Sequence, residues 1–184
     1  MLFKDIQLTV YASLFAALIA LGAYLAVPIP ISPVPIILQN LFVLLAGLLL
    51  GPRWGFASVG IYLFAGAVGL PVFTGGKGGL AHFLGPTGGY LLGFAACAFV
   101  TGSIAHSTDT NRVRDTLAVL AGVVITYAFG VPWLKISASM SWEKALFAGM
   151  LPFLPGDAVK AVSAVILCRT LRPVLLRRIQ TVAP

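Results

Sequence analysis

Charge is what this chain has least of. Only 9% of its 184 residues are Asp, Glu, Lys or Arg, and five of those are acidic. A soluble domain carries about 25%, so this sequence cannot clothe a globular surface in water. Cysteine is scarce too. Cys97 and Cys168 both sit inside hydrophobic stretches and read as buried thiols rather than a disulfide. The two histidines, His82 and His106, stand far apart without cysteine or acidic partners at ligand spacing, so no metal site is expected. Neither has a Ser or Cys placed for nucleophilic catalysis. The segment TGGKGG (Thr74–Gly79) has the glycines of a phosphate loop but not their order, because Gly78 follows Lys77 and Pro71 holds the place of the first glycine. The chain is therefore not expected to hydrolyse ATP, to carry a cofactor or to act as an enzyme.

What is present is oil. Hydrophobic residues make up 59% of the chain and the mean hydropathy is +1.01, which predicts an all-α integral membrane protein with one transmembrane domain over residues 1–184. Six apolar stretches can be drawn, at about 8–27, 36–50, 54–70, 87–104, 117–133 and 155–171. The first, after Lys4, has a full spanning length of about 20 residues. A signal h-region has about 7–15, so the stretch reads as a permanent span. Trp142–Leu154 reads as a short interfacial or re-entrant piece, because Pro155 and Gly156 interrupt it and suit the start of a new helix. With the N-terminus inside, the cytoplasmic segments hold Lys4, Arg53, Arg112, Arg114, Arg169, Arg172, Arg177 and Arg178. The outer loops hold only Lys77, Lys135 and Lys144. That asymmetry predicts both termini in the cytoplasm. It also accounts for the net charge of +7 as topology, without a nucleic-acid partner. On this topology Asp5, Asp109 and Asp115 are cytoplasmic and Glu143 is in an outer loop.

The outer loops are irregular. Val27–Pro35 carries four prolines and is expected to be extended, and Pro71–Gly89 carries seven glycines. Irregular backbone at membrane depth survives where protein buries it or where it lines a polar cavity, so these loops predict a pocket open to the outside. Asp157 and Lys160 lie three apart on one face of the last helix, near its outer end. One reading is a capping carboxylate with a snorkelling lysine. The other is a site for a small polar solute, since ionisable groups inside a membrane are costly and mark function. Gly75, Gly76, Gly78 and Gly79 could bring backbone N–H groups close to a ligand. Gln39 and Tyr90 each need a polar partner in a dry setting. The same need touches Tyr127 and Trp133. Ala12, Ala16 and Ala20, four apart on the first helix, allow close helix approach, which sequence alone reads first as packing within this protein.

Five motifs occur in order: PVPIILQN (Pro33–Asn40), GLPVFTGGKGG (Gly69–Gly79), GPTGGYLLG (Gly85–Gly93), YAFGVPWL (Tyr127–Leu134) and PFLPGDAVKA (Pro152–Ala161). Together they resemble the BioY family, the biotin-specific S components of energy-coupling factor (ECF) transporters. The resemblance implies six helices, both termini cytoplasmic, and high-affinity capture of biotin at the outer face of a bacterial cell (inner) membrane. It implies as partners a transmembrane coupling subunit, met by Ala12, Ala16 and Ala20, and two cytoplasmic ATPases, a module that some members do without. It implies a pocket in which Asp157 accepts the ureido N–H groups and Lys160 supports it. Gln39, Tyr90, the Gly75–Gly79 amides and aromatic packing from Phe73 or Trp133 complete it. Lys77 is not part of the family signature. The competing expectation is a self-sufficient secondary carrier using Asp157 and Lys160 as an ion relay, though no internal repeat of the kind common in such carriers is visible.

Overall fold

The protein is seen here as a computed structural model that describes residues 2–28, 30–105 and 111–181, without the side chains of residues 2–4, 27, 176 and 178–181. His106 and Asp109 lie outside the described residues. The chain is helical apart from one small ribbon. Helix α1 (Leu2–Tyr24) leads into strand β1 (Ala26–Val27), which pairs antiparallel with β2 (Ile36–Ile37). Then come α2 (Gln39–Ala67), α3 (Ala81–Leu84), α4 (Gly88–Ala105), α5 (Arg112–Ser137), α6 (Trp142–Gly149) and α7 (Leu154–Thr181). Four helices, α1, α2, α4 and α5, are long and apolar enough to cross a membrane, and the pair α6 and α7, bent by 48°, makes a fifth candidate. Their outward faces are apolar, with Val10, Phe64, Val124 and Ile166 among the exposed side chains. The proline segment is pinned at its base by the two-residue ribbon, a pairing that the prolines hide in the sequence.

α2 is broken. Gly51 has φ 77° and ψ −176°, a backbone region open in practice to glycine alone. Pro52 follows, and proline suits the first turn of a new helix. A Cβ on Gly55 would lie 2.9 Å from the Gly47 Cα. Eight residues of straight helix would separate these positions by about 12 Å, so the chain doubles back at Gly51. The two drawn stretches 36–50 and 54–70 are thus one helical hairpin without a loop. The sequence signal was Gly51-Pro52 itself. α5 and α7 run past their apolar stretches because charged ends continue the helix, as does α1 at its start, while α4 stays close to the drawn bounds; α7 reaches Thr181 and carries Pro173 within it.

The main core gathers Phe15, Ile19, Val43, Leu44, Tyr62, Phe73, Phe94 and Cys97 from α1, α2, α4 and the loop after α2. Both cysteines are free and buried. The alanine stripe needs a correction. Ala12 is fully buried, Ala16 nearly so, and Ala20 packs against the core. The small residues let α1 approach the bundle closely, so the stripe that could have faced a separate subunit is used inside this chain. Phe73 has no exposed surface. It wedges the glycine loop against α2, where a Cβ on Gly66 would fall 2.0 Å from the ring. The ring also meets Tyr62 and Phe83 edge-on.

Gly51→Ala should cost about 1–3 kcal/mol of stability through backbone strain alone. The midpoint of thermal unfolding in detergent tests this, and an unchanged midpoint would mean that the reversal does not need glycine.

Candidate binding site

The charged pair on α7 is the centre of a buried polar cluster. Asp157 and Lys160 are both about nine-tenths buried or more, and Lys160 Nζ lies 3.0 Å from Asp157 Oδ1. Asn40 Nδ2, on the first turn of α2, donates to the same oxygen at 2.7 Å. The Tyr127 hydroxyl, on α5, donates to Asp157 Oδ2. Lys160 Nζ also donates to Asn40 Oδ1 at 3.2 Å. The carboxylate therefore receives donors from α2, α5 and its own helix. A carboxylate offers about four acceptor positions, so room remains for one more donor. The helix start adds to this, because the first turn of α7 favours a negative charge.

Asp157 forms part of the wall of a cavity with about 580 Å³ of space between its walls, the open mouth included. Val34, Ile37, Leu91, Phe94 and Phe153 give it apolar walls, while Gln39, Asn40, Thr126 and Tyr127 supply polar groups. Gln39 is 1% exposed, and its side chain stands beside the equally buried Tyr62 hydroxyl. Tyr90 also lines the cavity, and its hydroxyl donates to the Gly149 carbonyl at 2.7 Å, joining α4 to α6.

A second, outer hollow shares Pro35, Thr74, His82 and Thr87 with the first. Gly75 and Lys77 line this vestibule. Of the other loop glycines, Gly76 donates its N–H to Phe73 O at 3.0 Å and Gly79 donates to Gly66 O at 2.7 Å, so those amides are engaged in shaping the loop. A Cβ on Gly78 would fall 2.3 Å from the Leu70 carbonyl oxygen, so the loop closes there only on glycine. Phe73 stands behind His82, with ring centroids 4.9 Å apart and nearly parallel planes. Trp133 Nε1 donates to Gly85 O at 3.0 Å, fastening the start of the fourth-helix motif to α5. Phe73 and Trp133 thus support the site from behind. The His82 ring lies 3.3 Å from Thr87 Oγ1. Burial first, and the Lys77 ammonium second, hold its pKa below the ordinary histidine value, which keeps the ring neutral near pH 7.

Sequence reasoning placed Asp157, Lys160, Gln39 and Tyr90 at the site and noted Tyr127 only as a hydroxyl in need of a partner, without assigning it to the site. It missed the part of Asn40, and it weighed His82 only for metal binding and catalysis and set it aside on both counts. The signal for Asn40 was available: two adjacent amides, Gln39 and Asn40, open an otherwise apolar helix. A hydroxyl inside an apolar span was the corresponding signal for Tyr127. Among the described residues, no group of three His, Cys, Asp or Glu is placed to hold a metal.

A helical membrane chain with a buried carboxylate beside a mostly apolar cavity belongs to the class of small-solute binding membrane proteins. The model of the BioY family matches residues 3–177, and the chain belongs to that family. It is 43% identical over 169 residues to the probable biotin transporter BioY of Pyrococcus horikoshii, covering 92% of this chain and 96% of that one. It is 41% identical over 175 residues to the biotin transporter BioY of Rhizobium etli, covering 90% and 91%. The fold is similar to the crystal structure of the S-component for biotin from an ECF-type ABC transporter. The TM-score is 0.87 and the identity 36%, with 94% of each chain covered.

Two outcomes follow from this geometry. Tyr127→Phe removes one donor from Asp157 and should destabilise the protein by about 1–3 kcal/mol, read as a lower thermal midpoint; no change would show that the hydroxyl adds nothing. For His82, the unfolded chain binds the proton more readily than the folded one, so stability falls as pH drops through the ordinary histidine range near about 6.5. The midpoint should fall more steeply between pH 7.5 and 5.5 in the wild type than in His82→Gln, and parallel curves would remove this histidine from the acid response.

Proposed function

We propose that this chain captures biotin at the outer face of a bacterial cell membrane and serves its uptake as the substrate-binding component of an ECF-type transporter. The observation that carries the reading is Asp157, a carboxylate steadied by Asn40, Tyr127 and Lys160 at the wall of an apolar cavity, in a member of the BioY family. Biotin is a bicyclic urea with an apolar body and a carboxylate tail. Its two ureido N–H groups suit an acceptor-only carboxylate, and its ring and chain suit walls such as Phe94 and Phe153. Asp157 accepts these N–H groups, with Asn40 or Tyr127 releasing an oxygen to admit the second. Gln39, on the cavity wall, donates its Nε2 to a ligand oxygen. Tyr90 closes one side of the cavity. Gly75 lies at the vestibule, and Gly76, Gly78, Gly79, Phe73 and Trp133 fix the loop and wall that shape the entrance.

In this reading the α2 hairpin counts as two crossings and the bent pair α6 and α7 as one. That makes six, with both termini in the cytoplasm as the distribution of basic residues favours. Transport is driven by a transmembrane coupling subunit and two cytoplasmic ATPases, and the chain itself performs no chemical reaction. The alanine stripe is not offered as the docking face, since Ala12 and Ala16 are covered. A self-sufficient carrier is the competing outcome, and uptake of biotin into proteoliposomes containing this chain alone would reveal it.

Radiolabelled biotin should bind the detergent-solubilised protein, and biotin at about 100 times Kd should stabilise it by about 2.7 kcal/mol. Asp157→Asn should weaken binding by at least about tenfold, because hydrogen bonds to a charged group are worth about 1.5–3 kcal/mol. Equal binding by the variant would remove Asp157 from the site.

A further inference from the structure

A second buried ion pair lies at the other end of the same helices. Arg172, on α7, donates Nη1 and Nη2 to the two carboxylate oxygens of Asp115, on α5, at 3.1 and 2.9 Å. Its Nη2 also donates to the Leu48 carbonyl, on α2, at 3.2 Å. Asp115 has no exposed surface and Arg172 is 4% exposed. The carbonyl is available for a definite reason. In a continuous helix Leu48 O would accept from the N–H of residue 52, but that residue is Pro52 and has none. The reversal at Gly51 thus creates an unmet acceptor, and Arg172 fills it.

The helices joined here are α2, α5 and α7, the same three that meet through Asn40, Tyr127 and Asp157 at the binding site. From Asp157 to Arg172 the helix rises roughly 22 Å, so one clamp sits at each end of the bundle. α7 lies on α2 and α5 over narrower contacts than those joining α1 to α2, α2 to α4, or α4 to α5. Close packing alone therefore fixes α7 poorly, although it carries the ligand-binding carboxylate. A buried ion pair is no better for stability than apolar side chains of similar size, since desolvation costs each ion several kcal/mol. What a forked guanidinium does supply is a fixed geometry, with two oxygens of one helix and one of another held at once.

We infer that Arg172 and Asp115 are positioning residues for the distant binding site: the clamp on Leu48 O sets the height and rotation of α7, and through them the placement of Asp157 and Lys160. The inference rests on the proposed biotin site for its ligand, though not for its geometry. It separates affinity from stability. The double variant Asp115→Leu/Arg172→Met replaces the clamp by apolar side chains of similar bulk and should keep a thermal midpoint close to that of the wild type. Its biotin affinity should nevertheless fall about tenfold, with faster dissociation, a coupling within the range carried between distant sites. Amide hydrogens of residues 154–160 should exchange faster as well.

A stable double variant with wild-type affinity and wild-type exchange in those residues would overturn the inference. If the double variant does not fold, Arg172→Lys decides. It keeps the charge but loses the fork, so weakened binding supports the inference and unchanged binding overturns it. Wild type and Asp157→Asn are measured alongside. If the wild type itself fails to bind biotin, the functional reading is wrong. Amide exchange at the start of α7, compared between wild type and clamp variant, then still tests the clamp: faster exchange supports it and equal exchange rejects it.

Discussion

The rest of this structure depends on keeping one carboxylate charged in an apolar bundle. A lone charge at such depth costs a few kcal/mol even on mild scales. Asp157 avoids that cost by drawing donors from three directions: an amide on α2, a hydroxyl on α5 and the ammonium one turn further along its own helix. Those donors fix where the three helices can stand. Cavity, loops and walls are arranged around that meeting point, which is also where the cavity has its strongest acceptor.

The surroundings divide their work. Apolar side chains exclude water and give the cavity its bulk, while a few polar groups set orientation, the usual balance in small-molecule sites. The glycine loop is held by internal backbone bonds and by the wedge of Phe73, so it forms a shaped rim. Trp133 fastens the neighbouring segment through the Gly85 carbonyl. Aromatic residues that look like ligand contacts in the sequence here hold the rim in place.

Composition alone made the membrane class legible, and the spacing of Asp157 and Lys160 made the centre of the site legible. Both follow from short-range rules: hydropathy counts residues, and helix periodicity sets residues three apart on one face. The rest was hidden because it is made by pairs distant in sequence. Asn40 meets Asp157 across 117 positions, and Asp115 meets Arg172 across 57. Read by position, Asp115 and Arg172 looked like ordinary cytoplasmic-end charges; only the fold shows that they are buried against each other. The alanine stripe was ambiguous for the same reason, since small-residue spacing tells that a helix is approached closely but not by whom. At Gly51-Pro52 both residues were visible as a break, yet the sharpness of the reversal depends on how α2 packs against itself.

That reversal also sets the level at which the polar groups of the cavity stand. The first arm of the hairpin, Gln39–Leu50, rises only roughly 18 Å, well short of a hydrocarbon layer about 30 Å thick. Its helical part alone leaves a shortfall of roughly 12 Å. Gln39 and Asn40 occupy its truncated tip. The proline ribbon and the glycine rim stand beyond that tip, so the polar floor of the cavity is walled by folded chain.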